Sequence, residues 1–296
     1  MKRFLFCILV FSLFVEPVYG GHPIIFVGDR IVRKGTRLFA PETLTQIARI
    51  EADGGTVIDA GWMDLVISIL KAQSIYSNCK FLADANFAVK KDGADAVSVL
   101  YDISGNNNDA VQATGAAQPI WTAAQQNGKA GLVFDGSDDV LSSTSNGFNI
   151  TGPFSILSWG NATSWPGLTT GIYSRYVLNS AIELRKDASK MSLYIADGST
   201  WKGATALEAD TPTGTSLIYS GIYDGTNIRL FINGILKGGP TATSAPGDTT
   251  GETSGFGFGR SSWHGNLPTF LILNTSLTTA QRTAIEALVN NYYAIY

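Results

Sequence analysis

The chain has 296 residues, and its 21 basic side chains stand against 24 acidic ones, so nothing in the net charge of -3 suggests a nucleic acid as partner. Only 15% of the residues are charged, whereas 32 are glycine and 45% are hydrophobic. This composition excludes the disordered, collagen-like and low-complexity classes and favours a β-rich fold with many turns.

The first twenty residues have the order of a secretory signal. Lys2 and Arg3 precede an apolar run of 12 residues from Phe4 to Val15, and Gly20 closes the segment. We predict a signal peptide over residues 1–20 with cleavage after Gly20; the alternative is a hydrophobic N-terminal arm. A helix needs about 20 apolar residues to cross a bilayer. The run is shorter and no later stretch is long enough, so we expect no membrane span in the mature chain.

Residues 21–80 are predicted to form a small N-terminal segment with two helices. Pro41 suits the first position of a helix, and apolar residues then recur at helical spacing until Asp53-Gly54-Gly55 interrupts the pattern. Thr56 is the predicted cap of the second helix. We expect a helical hairpin that packs on the larger domain or docks it onto something else.

Past about Lys80 the sequence consists of short β-type runs divided by clusters of Gly, Asn, Asp and Pro. At least six such runs indicate an antiparallel sandwich or barrel, and the last twenty residues return to helical spacing, with Thr278 or Thr279 as the cap. Alternation along the strands assigns these side chains to the core: Leu132, Phe134, Ile156, Leu184, Leu193, Ile218, Ile222, Leu230, Ile232 and Ile272.

Several segments together resemble the laminin-G-like branch of the concanavalin A-like lectin and glucanase superfamily. In chain order they are residues 101–110 (YDISGNNNDA), Gln118-Pro119, 131–141 (GLVFDGSDDVL), 223–234 (YDGTNIRLFING), 258–260 (FGR) and 273–282 (LNTSLTTAQR). The resemblance covers about residues 81–296. It implies an all-β fold, a two-sheet antiparallel jelly-roll sandwich, preceded here by the helical hairpin and closed by a C-terminal helix. A helical hairpin followed by such a domain also resembles bacteriophage and phage-derived structural proteins.

The candidate chemistry points away from catalysis. Glycosidases need two facing carboxylates, and the enzymes of this superfamily place them at alternating positions of one strand, as in Glu-x-Asp-x-x-Glu. The sequence contains no such string. With only His22 and His264, a multi-histidine metal centre is excluded, and a Ser-His-Asp triad would depend on one histidine. We predict no enzymatic activity, with a glycoside hydrolase as the alternative.

Calcium is the one cofactor that the resemblance implies, near the Asp-x-Ser-Gly-Asn segment. Asp102, Asn106 and Asp109 are its predicted ligands, because Ca²⁺ prefers carboxylate and amide oxygens. The alternative is a tight turn, for which Asn, Asp and Gly are equally suited. Residues 267–271, which precede the last helix, hold no carboxylate to complete a site.

Aromatic side chains are the predicted ligand-binding groups, because sugars stack their apolar faces on aromatic rings. Trp165, Tyr176, Trp201 and Trp263 lie among polar or turn residues. We expect at least two of these four to converge on one exposed face. The alternative is that they only fill sheet surfaces.

These observations predict an extracellular or virion-surface module without catalytic activity that binds carbohydrate or mediates adhesion. Its expected partner is a glycan or cell-surface polysaccharide. The alternative is a structural virion protein, such as a decoration, fibre or tail subunit, whose sandwich contacts other copies or virion neighbours. The two alternatives differ in whether the isolated protein binds glycans.

Overall fold

The computed structural model describes residues 39–143, 150–164, 169–175, 181–187, 190–197, 200–247, 256–259 and 263–296, together with the backbone of residues 24–27 and 30–33. The strands are β1 (Ile24–Val27), β2 (Arg30–Arg33), β3 (Thr56–Val57), β4 (Cys79–Asp84), β5 (Ala88–Lys91), β6 (Val97–Leu100), β7 (Ala110–Val111), β8 (Ile120–Gln126), β9 (Lys129–Asp135), β10 (Leu141–Ser143), β11 (Phe154–Ser164), β12 (Thr169–Arg175), β13 (Ile182–Asp187), β14 (Lys190–Ala196), β15 (Trp201–Thr205), β16 (Ser216–Tyr223), β17 (Asn227–Ile232), β18 (Ile235–Ala242), β19 (Phe256–Phe258) and β20 (His264–Leu273). The helices are α1 (Pro41–Ala52), α2 (Ala60–Ala72) and α3 (Thr279–Tyr293).

Two antiparallel sheets form the body of the protein. Sheet I has ten strands in the spatial order β15-β14-β13-β12-β19-β10-β7-β6-β5-β3. Sheet II has eight, in the order β18-β17-β16-β11-β20-β9-β8 with β4 also paired to β20. β1 and β2 form a separate hairpin. The predicted all-β, two-sheet sandwich with a helical hairpin before it and a helix at its end is therefore confirmed.

The core between the sheets contains eight of the ten predicted side chains. The other two, Ile218 and Ile222, lie on the opposite face of β16 and pack beneath the helices. β16 is buried along both faces, so its sequence has no polar alternation from which the inward side could be read. Leu217 and Tyr219 are its inward residues instead.

Helices α2 and α3 cover the outer face of sheet II, and α1 packs on α2 and β3; all three helices share a second buried cluster with the sheet. Pro41 stands at the start of α1, as predicted. The predicted cap Thr56 belongs instead to β3, which pairs with β5, and Asp59 caps α2 by accepting a hydrogen bond from the Trp62 amide at 2.8 Å. Thr278 caps α3, as predicted, in a reciprocal capping box with Gln281.

A buried polar network fixes this helical layer on the sandwich. The Asp84 carboxylate at the end of β4 is inaccessible to solvent and accepts hydrogen bonds from the Tyr293 hydroxyl of α3 at 2.6 Å and from the Trp62 indole of α2 at 3.3 Å. Thr269 of β20 and the Asn86 amide also donate to it. One carboxylate therefore connects two helices to two strands.

The predicted division at residue 80 stays a prediction, although strands from both sides of it join the same sheets: β3 lies in sheet I and β4 begins at Cys79. Within the described part of the chain, none of the helices combines the length and apolar character needed to cross a membrane.

Candidate functional site

The outer face of strands β13, β14 and β15 lies at one end of sheet I. The buried cluster beneath the helices includes no residue of these three strands. Their inward side chains, among them Leu184, Leu193 and Ala204, belong to the core between the sheets. Because side chains alternate along a strand, their sequence neighbours point to the outer face.

Three outward side chains form one continuous surface, which we call the platform: Arg185, Tyr194 and Trp201. The guanidinium carbon of Arg185 lies 4.6 Å from the centre of the Tyr194 ring and 5.2 Å from that of Trp201. The two rings meet edge to face, 6.2 Å apart. All three side chains are half-buried, so they are fixed by packing yet keep surface for a ligand.

Gly203 makes room for the platform. It stands opposite Tyr194 in the pairing of β14 with β15. A Cβ atom at this position would lie 2.5 Å from Cε1 of the Tyr194 ring, closer than real contacts allow. The ring therefore lies flat over the backbone of β15 because residue 203 has no side chain.

Two carboxylates flank the platform on β13. Glu183 is buried and accepts a hydrogen bond from Nη1 of Arg185, and an oxygen of Asp187 lies 3.7 Å from Nη2 of the same guanidinium. Asp187 also accepts a hydrogen bond from the Tyr194 hydroxyl at 3.3 Å. Both carboxylates hold Arg185 between them, so they position the platform and do not form a facing acid and base across an open cleft.

The four aromatic residues predicted from the sequence lie in different places. Trp201 is in the platform. Trp263 is fully buried in the core between the sheets, against Gly160, so its assignment to a ligand site is wrong. Trp165 and Tyr176 lie outside the described residues. Tyr194 is not among the predicted residues, although the alternation of Met191-Ser192-Leu193-Tyr194-Ile195 places it on the face opposite to Leu193.

The predicted calcium segment is organised by hydrogen bonds around Asp102. Its carboxylate is buried and accepts from the amides of Leu82, Ser104 and Asn108, each at 2.9 Å, and from the Ser104 hydroxyl at 2.8 Å. Burial raises its pKa above the ordinary aspartate value in spite of these donors. The residue therefore acts as the centre of a turn.

The other two predicted ligands are also engaged. Arg49 of α1 holds the Asp109 carboxylate with two nitrogens at 2.7 and 3.1 Å, and Asn106 donates its side-chain amide to the Cys79 carbonyl at 2.7 Å. An arginine cation already neutralises Asp109, and all four carboxylate oxygens of Asp102 and Asp109 accept hydrogen bonds. The set does not fit a calcium ion. Calcium binding by this chain stays a prediction, without these three residues as its ligands.

A second acidic group stands at the end of β9. Carboxylate oxygens of Asp135, Asp138 and Asp139 lie within 4.8 Å of one another. Asp139 is buried, accepts a hydrogen bond from the Asp135 amide at 2.8 Å, and has its pKa raised to about 6, mainly by burial. Its two acidic neighbours raise that pKa further.

We expect the unfolding free energy to fall as the pH rises from about 4, the ordinary aspartate pKa, to about 6, because the unfolded chain releases the Asp139 proton first. Asp139→Asn keeps the acceptor oxygen and removes the charge, so it should reduce this slope and raise the melting temperature at neutral pH. Thermal melts between pH 4 and pH 7 measure both effects. Glu51→Gln, an exposed change on α1, should keep the wild-type slope; an unchanged slope in the Asp139 variant would contradict the assignment.

His264 contacts a serine near the same end of the sandwich. Its Nδ1 lies 2.8 Å from the Ser164 hydroxyl. Among the described residues, no carboxylate hydrogen-bonds to the imidazole, although Asp135 stands opposite it in the pairing of β9 with β20. A triad needs a carboxylate to orient the histidine ring, so this pair lacks the arrangement of a serine hydrolase.

Comparison with known proteins agrees with the sandwich fold. Residues 135–281 match the sequence model of the concanavalin A-like lectin/glucanases superfamily, of the laminin-G type. Comparison with curated protein sequences found no match.

Among solved structures, the binding domain of botulinum neurotoxin serotype D superposes with a TM-score of 0.53 at 14% identity, over 73% of this chain and 52% of that one. The binding domain of Paraclostridial Mosquitocidal Protein 1 gives 0.53 at 14% identity, over 73% and 53%. The receptor-binding domain of botulinum neurotoxin type G gives 0.52 at 14%, over 72% and 51%. The chain thus spans about half the length of the structures it matches, and at these identities the likeness shows the fold alone.

Proposed function

We propose that the outer face of β13–β15 binds a glycan and that the protein is a non-catalytic carbohydrate-binding or adhesion module, because residues 135–281 match the sequence model of the concanavalin A-like lectin/glucanases superfamily. The observation that carries this proposal is the platform. Two aromatic rings and a guanidinium form one half-exposed surface, which is the chemistry that stacks on the apolar face of a sugar.

The electrostatics of the platform favour a neutral glycan. The positive charge of Arg185 is balanced by Glu183 and Asp187, which hold it at both ends. The affinity would therefore come from stacking and from hydrogen bonds by Asp187 and Thr205 on the same face. The solved binding domains with this fold include receptor-binding domains, which is consistent with a surface role. Secretion through the N-terminal segment is part of the proposal.

The positions of the two carboxylates support the non-catalytic part of this proposal. Retaining glycosidases hold two carboxyl groups about 5 Å apart and inverting ones about 6.5–9.5 Å apart, with the sugar between them. In this protein an arginine lies between Glu183 and Asp187.

Trp201→Ala should weaken glycan binding at least tenfold, which is about 1.4 kcal/mol, because it removes the larger of the two stacking rings. The measurement is affinity electrophoresis of the soluble protein through a panel of neutral and acidic polysaccharides. Tyr296→Ala removes an aromatic ring that is 58% exposed elsewhere, so it is the matched control and should bind as the wild type does.

Two outcomes would contradict the proposal. If the wild type binds no glycan on the panel and self-associates in ultracentrifugation, the structural-subunit alternative becomes the better account. If the wild type binds and Trp201→Ala binds equally well while keeping its melting temperature, the glycan site lies elsewhere than on the platform.

A further inference from the structure

A groove of about 280 Å³ lies on the outer face of sheet II, between strands β16–β18 and the start of α3. Its apolar wall consists of Ile222, Phe231, Leu236 and Leu277, and two arginines complete it. Leu236 is 44% exposed, and its neighbour Ile235 is also exposed. The groove is separate from the platform, which lies on sheet I.

The first arginine, Arg282, is a buried cation. Its side chain is 6% exposed, and its guanidinium carbon lies 3.9 Å from the centre of the Phe231 ring. Nη1 donates to Glu286 at 2.5 Å and to the Gly234 carbonyl at 3.3 Å. Among the described residues, Nε and Nη2 have no hydrogen-bond acceptor, and the side chain lines the groove. Arg282 therefore keeps donors for a group in the groove.

The second arginine, Arg229, is also held by a carboxylate through one nitrogen. Its Nη1 pairs with the Asp224 carboxylate, and within the described chain its other nitrogens have no acceptor. Asp224 and Glu286 hold the two arginines without lining the groove. Their remaining oxygens are engaged elsewhere: Glu286 accepts from the Ser220 hydroxyl at 2.6 Å, and Asp224 from the amides of Thr226 and Asn227.

We infer that this groove binds a small organic acid, with its carboxylate on Arg229 and Arg282 and an apolar face of its body against Phe231, Leu236 and Leu277. Guanidinium groups match a carboxylate through paired N–H donors, and they do so best where water is partly excluded. The hydroxyl-bearing residues Ser276 and Thr279 also line the groove and suit a polar edge of the ligand. A sugar acid and an aromatic acid share this chemistry. The sugar acid as a source rests on the proposed glycan function, whereas the carboxylate site does not.

The test uses glucuronate and benzoate as probes, each against its neutral analogue, glucose and benzamide. We expect at least one acid to raise the melting temperature of the full chain and to give a calorimetric binding isotherm, while its neutral analogue does neither. Arg229→Gln should weaken that binding at least tenfold. The matched control is Lys90→Gln, which also removes a positive charge from an exposed ion pair, on β5, and should bind as the wild type does.

Arg282→Gln removes one partner of a buried ion pair and is expected to destabilise the fold. Arg229 has 31% of its side chain accessible, so Arg229→Gln is the variant that tests the inference. Leu236→Ser tests the apolar wall and should weaken the same binding. The inference is overturned if neither acid binds, if a neutral analogue binds equally well, if Arg229→Gln binds as tightly as the wild type, or if inorganic phosphate alone raises the melting temperature as much as the acids. Trp201→Ala should bind the acids as the wild type does, because Trp201 does not line the groove. Failure of the groove site and failure of the platform can therefore be distinguished.

Discussion

Asp84→Ala is expected to lower the unfolding free energy by roughly 3 kcal/mol or more, since removing one partner of a buried charged network usually costs about that much. The substitution leaves the Tyr293 hydroxyl and the Trp62 indole N–H, both in buried side chains, without their acceptor, and it removes the Asp84 bond of the Thr269 hydroxyl. Asp84 is fully buried, and this burial raises its pKa above the ordinary aspartate value. The lost hydrogen bonds therefore cannot be replaced by bonds to water.

Urea unfolding followed by tryptophan fluorescence measures this effect. Glu51→Ala, which removes an exposed carboxylate from α1, should change the unfolding free energy by less than about 0.5 kcal/mol. Tyr293→Phe should give an intermediate loss because the ring remains and only the hydroxyl is removed. Equal stability of Asp84→Ala and Glu51→Ala would show that the network does not hold the helices on sheet II.

Asp102→Ala is expected to cost about 3 kcal/mol as well, and to do so independently of calcium. Its carboxylate accepts hydrogen bonds from three backbone amides and one hydroxyl, and it fixes the loop between β6 and β7 against β4. The loop also receives Arg49 of α1, which donates to the Asp102 carbonyl at 2.8 Å. Loss of the carboxylate should therefore loosen the helical hairpin together with the loop.

Melting curves in calcium and in EDTA separate this role from metal binding. We expect the same difference between wild type and Asp102→Ala in both buffers. A wild-type melting temperature that falls in EDTA, with no such fall in the variant, would contradict the turn-centre role and return Asp102 to the calcium ligands. Asp92→Ala removes an aspartate that caps a smaller exposed turn, and its effect should be much smaller.

Strand alternation predicted the sandwich and most of its core because each strand with one polar face shows which side is buried. β17 alternates half-buried and buried positions, and Leu230 and Ile232 were placed correctly. Alternation gave the wrong inward side for β16, because both faces of this strand are buried and the helices cover one of them. The sequence of β16 alone does not indicate that helices from distant parts of the chain will cover one of its faces.

The candidate site could be predicted only in part for a related reason. Trp201 was selected from its polar neighbours, but the same criterion selected Trp263, which lies among turn residues and is nevertheless fully buried. Polarity of sequence neighbours does not report what packs across a sheet. Likewise, the spacing of Asp102, Asn106 and Asp109 suits both a metal loop and a turn, and the deciding partner, Arg49, lies 60 residues from Asp109.

The pairing of β4 with β20 has a consequence for the order in which the protein folds. Asp84 and Thr269 face each other across this pair although they are 185 residues apart. Closing so long a loop is entropically costly before its contacts form, and folds dominated by such contacts are slow. During synthesis β4 emerges long before β20 and α3. Until those elements are made, sheet II is incomplete and the apolar side of α2 has nothing to pack against. The nascent chain must therefore keep this surface from aggregating until residues 264–293 have been made.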